Sequence, residues 1–302
     1  MLPIWYNQYK QLIDSSVENY LTEYFKYENS NWLEIIKEAS LYACKWWKRI
    51  RSILALEFYF IFSNKNISNI SFNDDIIKFC IALELLHAYS LVHDDLPCMD
   101  NDELRRGKLT VWKKYGEDNA VLSWDLLNSL SFELLADIWN ISLIKDFWKA
   151  VWINWMIWWQ VLDLYYEENS NKLDLENLIE VHNKKTGALI EISIVGALNI
   201  INSDLKDSNK LDNNIFDKYK EFWKKIGLAF QVKDDLLDVE WTIEETWKSV
   251  GDWENKWFVY FIWVKKSREY LDNLISSSLN IISDLNSDKL NFLIWYIWNR
   301  NK

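Results

Sequence analysis

Six aspartates in two short runs are the residues of this chain best suited to chemistry. Asp94, Asp95 and Asp100 stand in Asp94-Asp95-Leu96-Pro97-Cys98-Met99-Asp100, and Asp234, Asp235 and Asp238 in Asp234-Asp235-Leu236-Leu237-Asp238. Carboxylates this dense repel one another unless something positive lies among them. Hard divalent cations such as Mg²⁺ take oxygen ligands and keep waters and substrate phosphates in the rest of their shell. Two such runs brought face to face would hold several Mg²⁺ ions, or Mn²⁺ in their place, around one diphosphate. Either run alone reads more readily as a solvated acidic helix end or cap. Long apolar helices leading into both favour metal.

Positioning these groups is a task for helices. Asp234 and Asp238 are i and i+4, about 40° apart on a helix, so they share a face. Pro97 cannot continue a helix, so Asp94 and Asp95 should end one while Asp100 returns from the loop behind. Proline occurs elsewhere only at Pro3, and strand-like alternation is scarce. Apolar residues recur at helical spacing, as Ile77, Ile81, Leu85 and Ala88 do. The pattern predicts helices near 7–27, 31–44, 49–63, 74–95, 118–139, 144–167, 174–201, 213–238, 258–283 and 288–299. Loops are expected at 63–75, 202–214 and 239–256. No linker or fixed-period repeat divides the chain, so the expectation is one all-α domain over 1–302.

Composition narrows the function. The net charge of −11, with no long basic run, argues against nucleic acid, whose phosphates demand neutralisation. Cys44, Cys80 and Cys98 form no CxxC pair, which fits a reducing compartment. The first ten residues lack the pattern of a signal peptide. The most membrane-like stretch, 147–166, is interrupted by Lys149, Asn154, Gln160 and Asp163, so no clean span is expected. A cytoplasmic protein is the simplest reading.

The stretch from His87 to Lys108 resembles the first aspartate-rich motif of trans-prenyl diphosphate synthases, in the form with two extra residues between the aspartates. Gly227 to Asp238 is similar to the second motif, and Lys185-Thr186-Gly187-Ala188-Leu189 to the KTG segment between them. The resemblance runs from about residue 32 to 300. It implies an isoprenoid synthase helical bundle around a central active-site cavity, usually homodimeric. The implied reaction is head-to-tail condensation of an allylic diphosphate with isopentenyl diphosphate. Asp94, Asp95, Asp100, Asp234, Asp235 and Asp238 would hold the metal ions. Arg105, Lys185, Lys248 and Lys256 would contact the allylic diphosphate, and Lys48, Arg51, His87 and Arg106 the isopentenyl diphosphate. Thr186 and Gln231 would place uncharged oxygens near the allylic cation. His93 is expected to be structural.

Tyr89 lies five residues before Asp94, about 7.5 Å down the helix, and Ser90 four before it. An aromatic at that floor resembles farnesyl synthases, so a C15 product is expected. Geranylgeranyl diphosphate, C20, is the alternative because Ser90 leaves part of the floor open. Two rivals from other classes are a terpene cyclase and a noncatalytic subunit of a heteromeric synthase.

One feature of the composition does not fit. There are 20 tryptophans and six glycines. Trp46-Trp47 precede Lys48-Arg49-Ile50-Arg51-Ser52 where the family has GGKRxRP. Trp158-Trp159, Trp124 and Trp247 likewise stand at family glycines, whereas Trp112 does not. The reading is that these are UGA codons translated as glycine by the source organism. Exchanging all but one would bring glycine to about 8%, an ordinary share. A dozen glycine-to-indole changes, at about 1–3 kcal/mol each, would exceed a stability of about 5–15 kcal/mol. Ser52 replaces the motif's proline and is expected to affect backbone stiffness rather than charge.

Overall fold

Tyr6, Tyr9, Ile13, Val17, Leu21 and Phe25 recur at helical spacing, and they are the buried face of α1 (Ile4–Lys26). The helix starts directly after Pro3, a residue suited to a helix start. The computed structural model describes residues 2–26, 33–45, 47–151, 161–162, 165, 169, 174–183, 187–205, 210–246 and 258–299. Their regular structure is helical except for one short ribbon, the all-α class expected. The chain divides into two compact units, 1–144 with 199–204, and 145–198 with 205–302.

In the first unit, α2 (Glu34–Ala43) and α3 (Ile50–Ser63) lead to α4 (Asp75–Asp94). By length and composition α4 is apolar enough to cross a membrane. Here it packs against α1 and α3 and buries residues on every side. That is the condition of a core helix.

Pro97 ends the helical run, and a ribbon follows: β1 (Leu104–Arg105) pairs antiparallel with β2 (Lys108–Leu109). Arg106 and Gly107 have φ of 53° and 72°, the paired positive values of a two-residue I′ turn. Strands of two residues give no alternation to read, so the sequence did not reveal them. The short α5 (Val111–Tyr115) was missed for the same reason. Gly116, at φ 94°, separates it from α6 (Glu117–Ile138), which packs along α4.

After α7 (Ile141–Val151) come α8 (Leu175–His182), α9 (Ala188–Asp204, whose residues 199–204 belong to the first unit), α10 (Asn213–Thr246), α11 (Phe258–Ile281) and α12 (Asp288–Trp298). Asp174 caps α8 by accepting from the Asn177 amide at 2.8 Å, and Ser287 caps α12 from Leu290 at 3.1 Å. Asn183 and Gly187 are π-helical, a wider turn that often accompanies function. Gly187 is needed for space: a Cβ there would lie 2.9 Å from the buried ring of Trp223. Two loop expectations are corrected. Helix α9 continues to Asp204, and α10 continues through Val239–Thr246, a stretch without glycine or proline to stop it.

Candidate active site

In the first unit, α4 delivers His87, Tyr89, Ser90, Asp94 and Asp95, and the ribbon delivers Arg105 and Arg106. The turn at Pro97 brings the chain back as expected, the Asp100 amide donating to the Asp94 carbonyl at 2.9 Å. Asp95 is buried, and burial pushes its carboxyl up to about 6 although the Arg105 guanidinium opposes the shift. Arg105 meets its Oδ1 through Nε at 2.7 Å and through a second nitrogen at 2.5 Å, a charge-assisted contact to one oxygen. Asp94 lies 3.1 Å from the His93 ring, which gives His93 a supporting place.

Beside this pair is a cavity of about 320 Å³, lined by Lys45, Trp47, Asp95, Arg105, Arg106 and Lys108 among others. Arg51 lies 3.1 Å from His87 Nε2. Arginine only donates, so Nε2 accepts and Nδ1 carries the proton. Burial first, then Arg51, Arg106, Arg49 and Arg105, hold the imidazole well below its ordinary pKa, so it is neutral. Its Nδ1 is buried with no hydrogen-bond partner. The Trp47 indole lies edge-on to His87 at 4.8 Å, and the Arg106 guanidinium lies 4.5 Å from its ring. Two expected diphosphate ligands, His87 and Arg106, thus pack against position 47. Lys48 is anchored by its carbonyl, which accepts from the Tyr6 hydroxyl at 2.5 Å.

Sequence reading missed the network beneath these residues. Arg49 takes a left-handed φ of 58° and donates to Asp14 (2.8 Å), Glu84 (2.8 Å) and the Cys44 carbonyl (2.6 Å). Ser52 Oγ donates to the same Glu84 at 2.5 Å. The expectation for Ser52 is therefore corrected: its hydroxyl serves a buried charge. Lys45 and Lys108 were also missed as cavity residues. The place of Lys45 just before Trp46-Trp47 and of Lys108 at the end of the first aspartate-rich motif was the available signal.

Tyr89 stacks on Trp124 of α6, ring centroids 5.8 Å apart and planes 26° apart, and His93 lies 4.9 Å from the same indole. Ser90 turns its hydroxyl back to the His87 carbonyl at 2.9 Å. The Trp124 indole nitrogen is buried with no hydrogen-bond partner, whereas that of Trp112 donates to the Asp102 carbonyl at 2.9 Å.

In the second unit, Gln231, Asp234, Asp235 and Asp238 all lie on α10, so their backbone spacing is the one expected. Asp235 is buried, accepts from the Phe258 amide at 2.7 Å and lies 3.2 Å from His182 Nε2. His182 was not foreseen. The side chain of Asp238, together with Lys185, Thr186, Lys248 and Lys256, lies outside the described residues. So do Trp46, Trp158, Trp159 and Trp247.

Among the described residues, no three His, Cys, Asp or Glu side chains converge to cage a metal ion. The carboxylate donors fit Mg²⁺ by type, since that ion takes one or two carboxylates and fills its shell with water and phosphate.

Residues 33–295 match the polyprenyl synthetase family. The chain is 38% identical over 239 residues to the farnesyl diphosphate synthase of Micrococcus luteus, covering 76% of this chain and 78% of that one. To the enzyme of the same name from Bacillus subtilis strain 168 it is 31% identical over 286 residues, covering 91% and 90%. A solved FPP/GFPP synthase from Zymomonas mobilis matches with a TM-score of 0.81 and 28% identity, over 98% of this chain and 100% of that one. This chain belongs to the polyprenyl synthetase family.

Proposed function

We propose that the protein is a prenyltransferase that condenses allylic diphosphates, dimethylallyl and geranyl, head-to-tail with isopentenyl diphosphate to give farnesyl diphosphate. The observation that carries the reading is the basic cavity at the end of α4. Arg105 and Arg106 line it beside Asp95, and His87, with a spare Nδ1–H and Arg51 on its other ring nitrogen, packs against the Trp47 ring of that lining. A neutral imidazole with a spare N–H and flanking guanidiniums donates to an anion without accepting from it, which suits a diphosphate. Lys45 and Lys108 add positive charge to the lining.

The aspartates Asp94, Asp95, Asp100, Asp234, Asp235 and Asp238 would hold Mg²⁺. When bound, Mg²⁺ neutralises the negative charge that a diphosphate gains as it leaves carbon. Arg105 orients Asp95, and Lys185, Lys248 and Lys256 complete the contacts to the allylic diphosphate. Gln231 and Thr186 offer uncharged oxygens to the developing allylic charge. Tyr89 with residue 124 closes the floor of the chain-elongation path. A cytoplasmic homodimer is part of the reading, and light scattering tests the dimer.

The test is an assay of the native protein with labelled isopentenyl diphosphate and geranyl diphosphate, with and without EDTA. Farnesyl diphosphate is the expected product, abolished by the chelator. A cyclised hydrocarbon points to a cyclase, and no turnover by the chain alone to a noncatalytic subunit. Tyr89→Ala should lengthen the product, and an unchanged distribution in an active variant moves the floor elsewhere.

A further inference from the structure

We infer that positions 139 and 263 carry glycine in the native polypeptide, the tryptophans there being a codon that the source organism translates as glycine. Neither position belongs to a motif quoted above, and the inference stands whether or not the enzymatic reading does. It starts from backbone conformation. Among the described residues, seven that are not glycine have positive φ. Three are Asn64, Asn101 and Asn286, a residue type that tolerates the left-handed region. Arg106 occupies an I′ turn, and Arg49 is held by three side-chain hydrogen bonds, two of them buried. The remaining two are tryptophans.

Trp139 has φ 56° and ψ 32° and is the C-terminal cap of α6, its amide donating to the Ala136 carbonyl at 3.0 Å. Asn140 follows at once and caps α7 by accepting from the Leu143 amide at 3.0 Å. The chain must therefore reverse within one left-handed residue, the place where helices most often end on glycine. The indole is 90% exposed, so packing does not compensate the backbone. Trp263 is more extreme. Its φ of 65° and ψ of 155° break α11 and fall in a region essentially confined to glycine. Its side chain is 64% exposed. The composition is an independent second observation: 20 tryptophans and six glycines is the imbalance such a codon would produce.

The deciding experiment is peptide mass spectrometry of the protein purified from its source, across both positions. Glycine at both is expected, and tryptophan at either overturns the inference. Thermal unfolding of the recombinant chain gives a second measurement that needs no native material. Trp139→Gly and Trp263→Gly should each raise the midpoint by about 2–4 °C. The corresponding alanine variants should gain less, because alanine keeps the Cβ that a left-handed backbone disfavours. Alanine matching or exceeding glycine at both sites overturns the backbone argument.

Discussion

The two aspartate runs are balanced by different means. In the first unit, Asp95 receives its counter-charge from Arg105, ten residues later on the ribbon that follows Pro97. In the second, Asp235 is held by the amide of Phe258, 23 residues later, and by the ring of His182, 53 residues earlier. One is a full ionic pair supplied by the motif itself. The other is a backbone dipole and an imidazole, brought to α10 by two other helices. The first run is therefore a local device, and the second depends on how its whole unit packs.

Substituting the first aspartate of each run gives the largest expected effect. Asp94→Ala and Asp234→Ala should each lower kcat by about 10³-fold or more, the scale of losing a preorganised electrostatic contact. Far-ultraviolet circular dichroism should stay helical, since removing a carboxylate relieves repulsion and does not harm packing. Normal Mg²⁺-dependent turnover in Asp234→Ala would make the comparison one-sided and leave the first run to act alone.

A smaller effect sharpens the contrast in partners. Arg105→Met leaves the buried Asp95 without its guanidinium and should cost about 2 kcal/mol in urea unfolding, below the full buried-pair value because Arg105 is partly exposed. His182→Phe leaves Asp235 its backbone donor and should cost about 1 kcal/mol. Equal losses would mean that the imidazole serves Asp235 as an ion-pair partner does.

The same contrast explains what was legible. Helix α4 and the i, i+4 aspartates of α10 follow from apolar spacing and from Pro97, which are properties of neighbouring residues. The union of Arg105 with Asp95 is nearly as local, yet its ribbon is too short to show a period. Arg49, Glu84 and Ser52 meet only because α3 and α4 pack, so a polar residue in a proline's place looked like a change of stiffness. His182 reaches Asp235 across more than fifty positions. No single-sequence signal marks it.

A last comparison sets two glutamates against each other. Glu84 in the first unit is buried with Arg49 and Ser52 both donating to it. Glu191 in the second lines a cavity of about 370 Å³ with Asp146, Lys149 and Lys220. Burial raises its pKa from the ordinary 4.5 to about 7, with Lys220, Lys224 and Lys149 opposing the shift and Asp146 adding to it. The native state thus holds this proton more tightly than the unfolded chain does. The stability it contributes is complete below about pH 4.5, drains as pH rises through 7, and is gone above that. Glu191→Gln fixes the neutral form, so the variant should match the parent at pH 4.5 and exceed it at pH 8. The gain should be about 1–2 kcal/mol, a shift of this size discounted for partial exposure. Urea midpoints at the two pH values measure it. A gain that does not change with pH would mean that Glu191 is already matched by its lysines, as Glu84 is by Arg49.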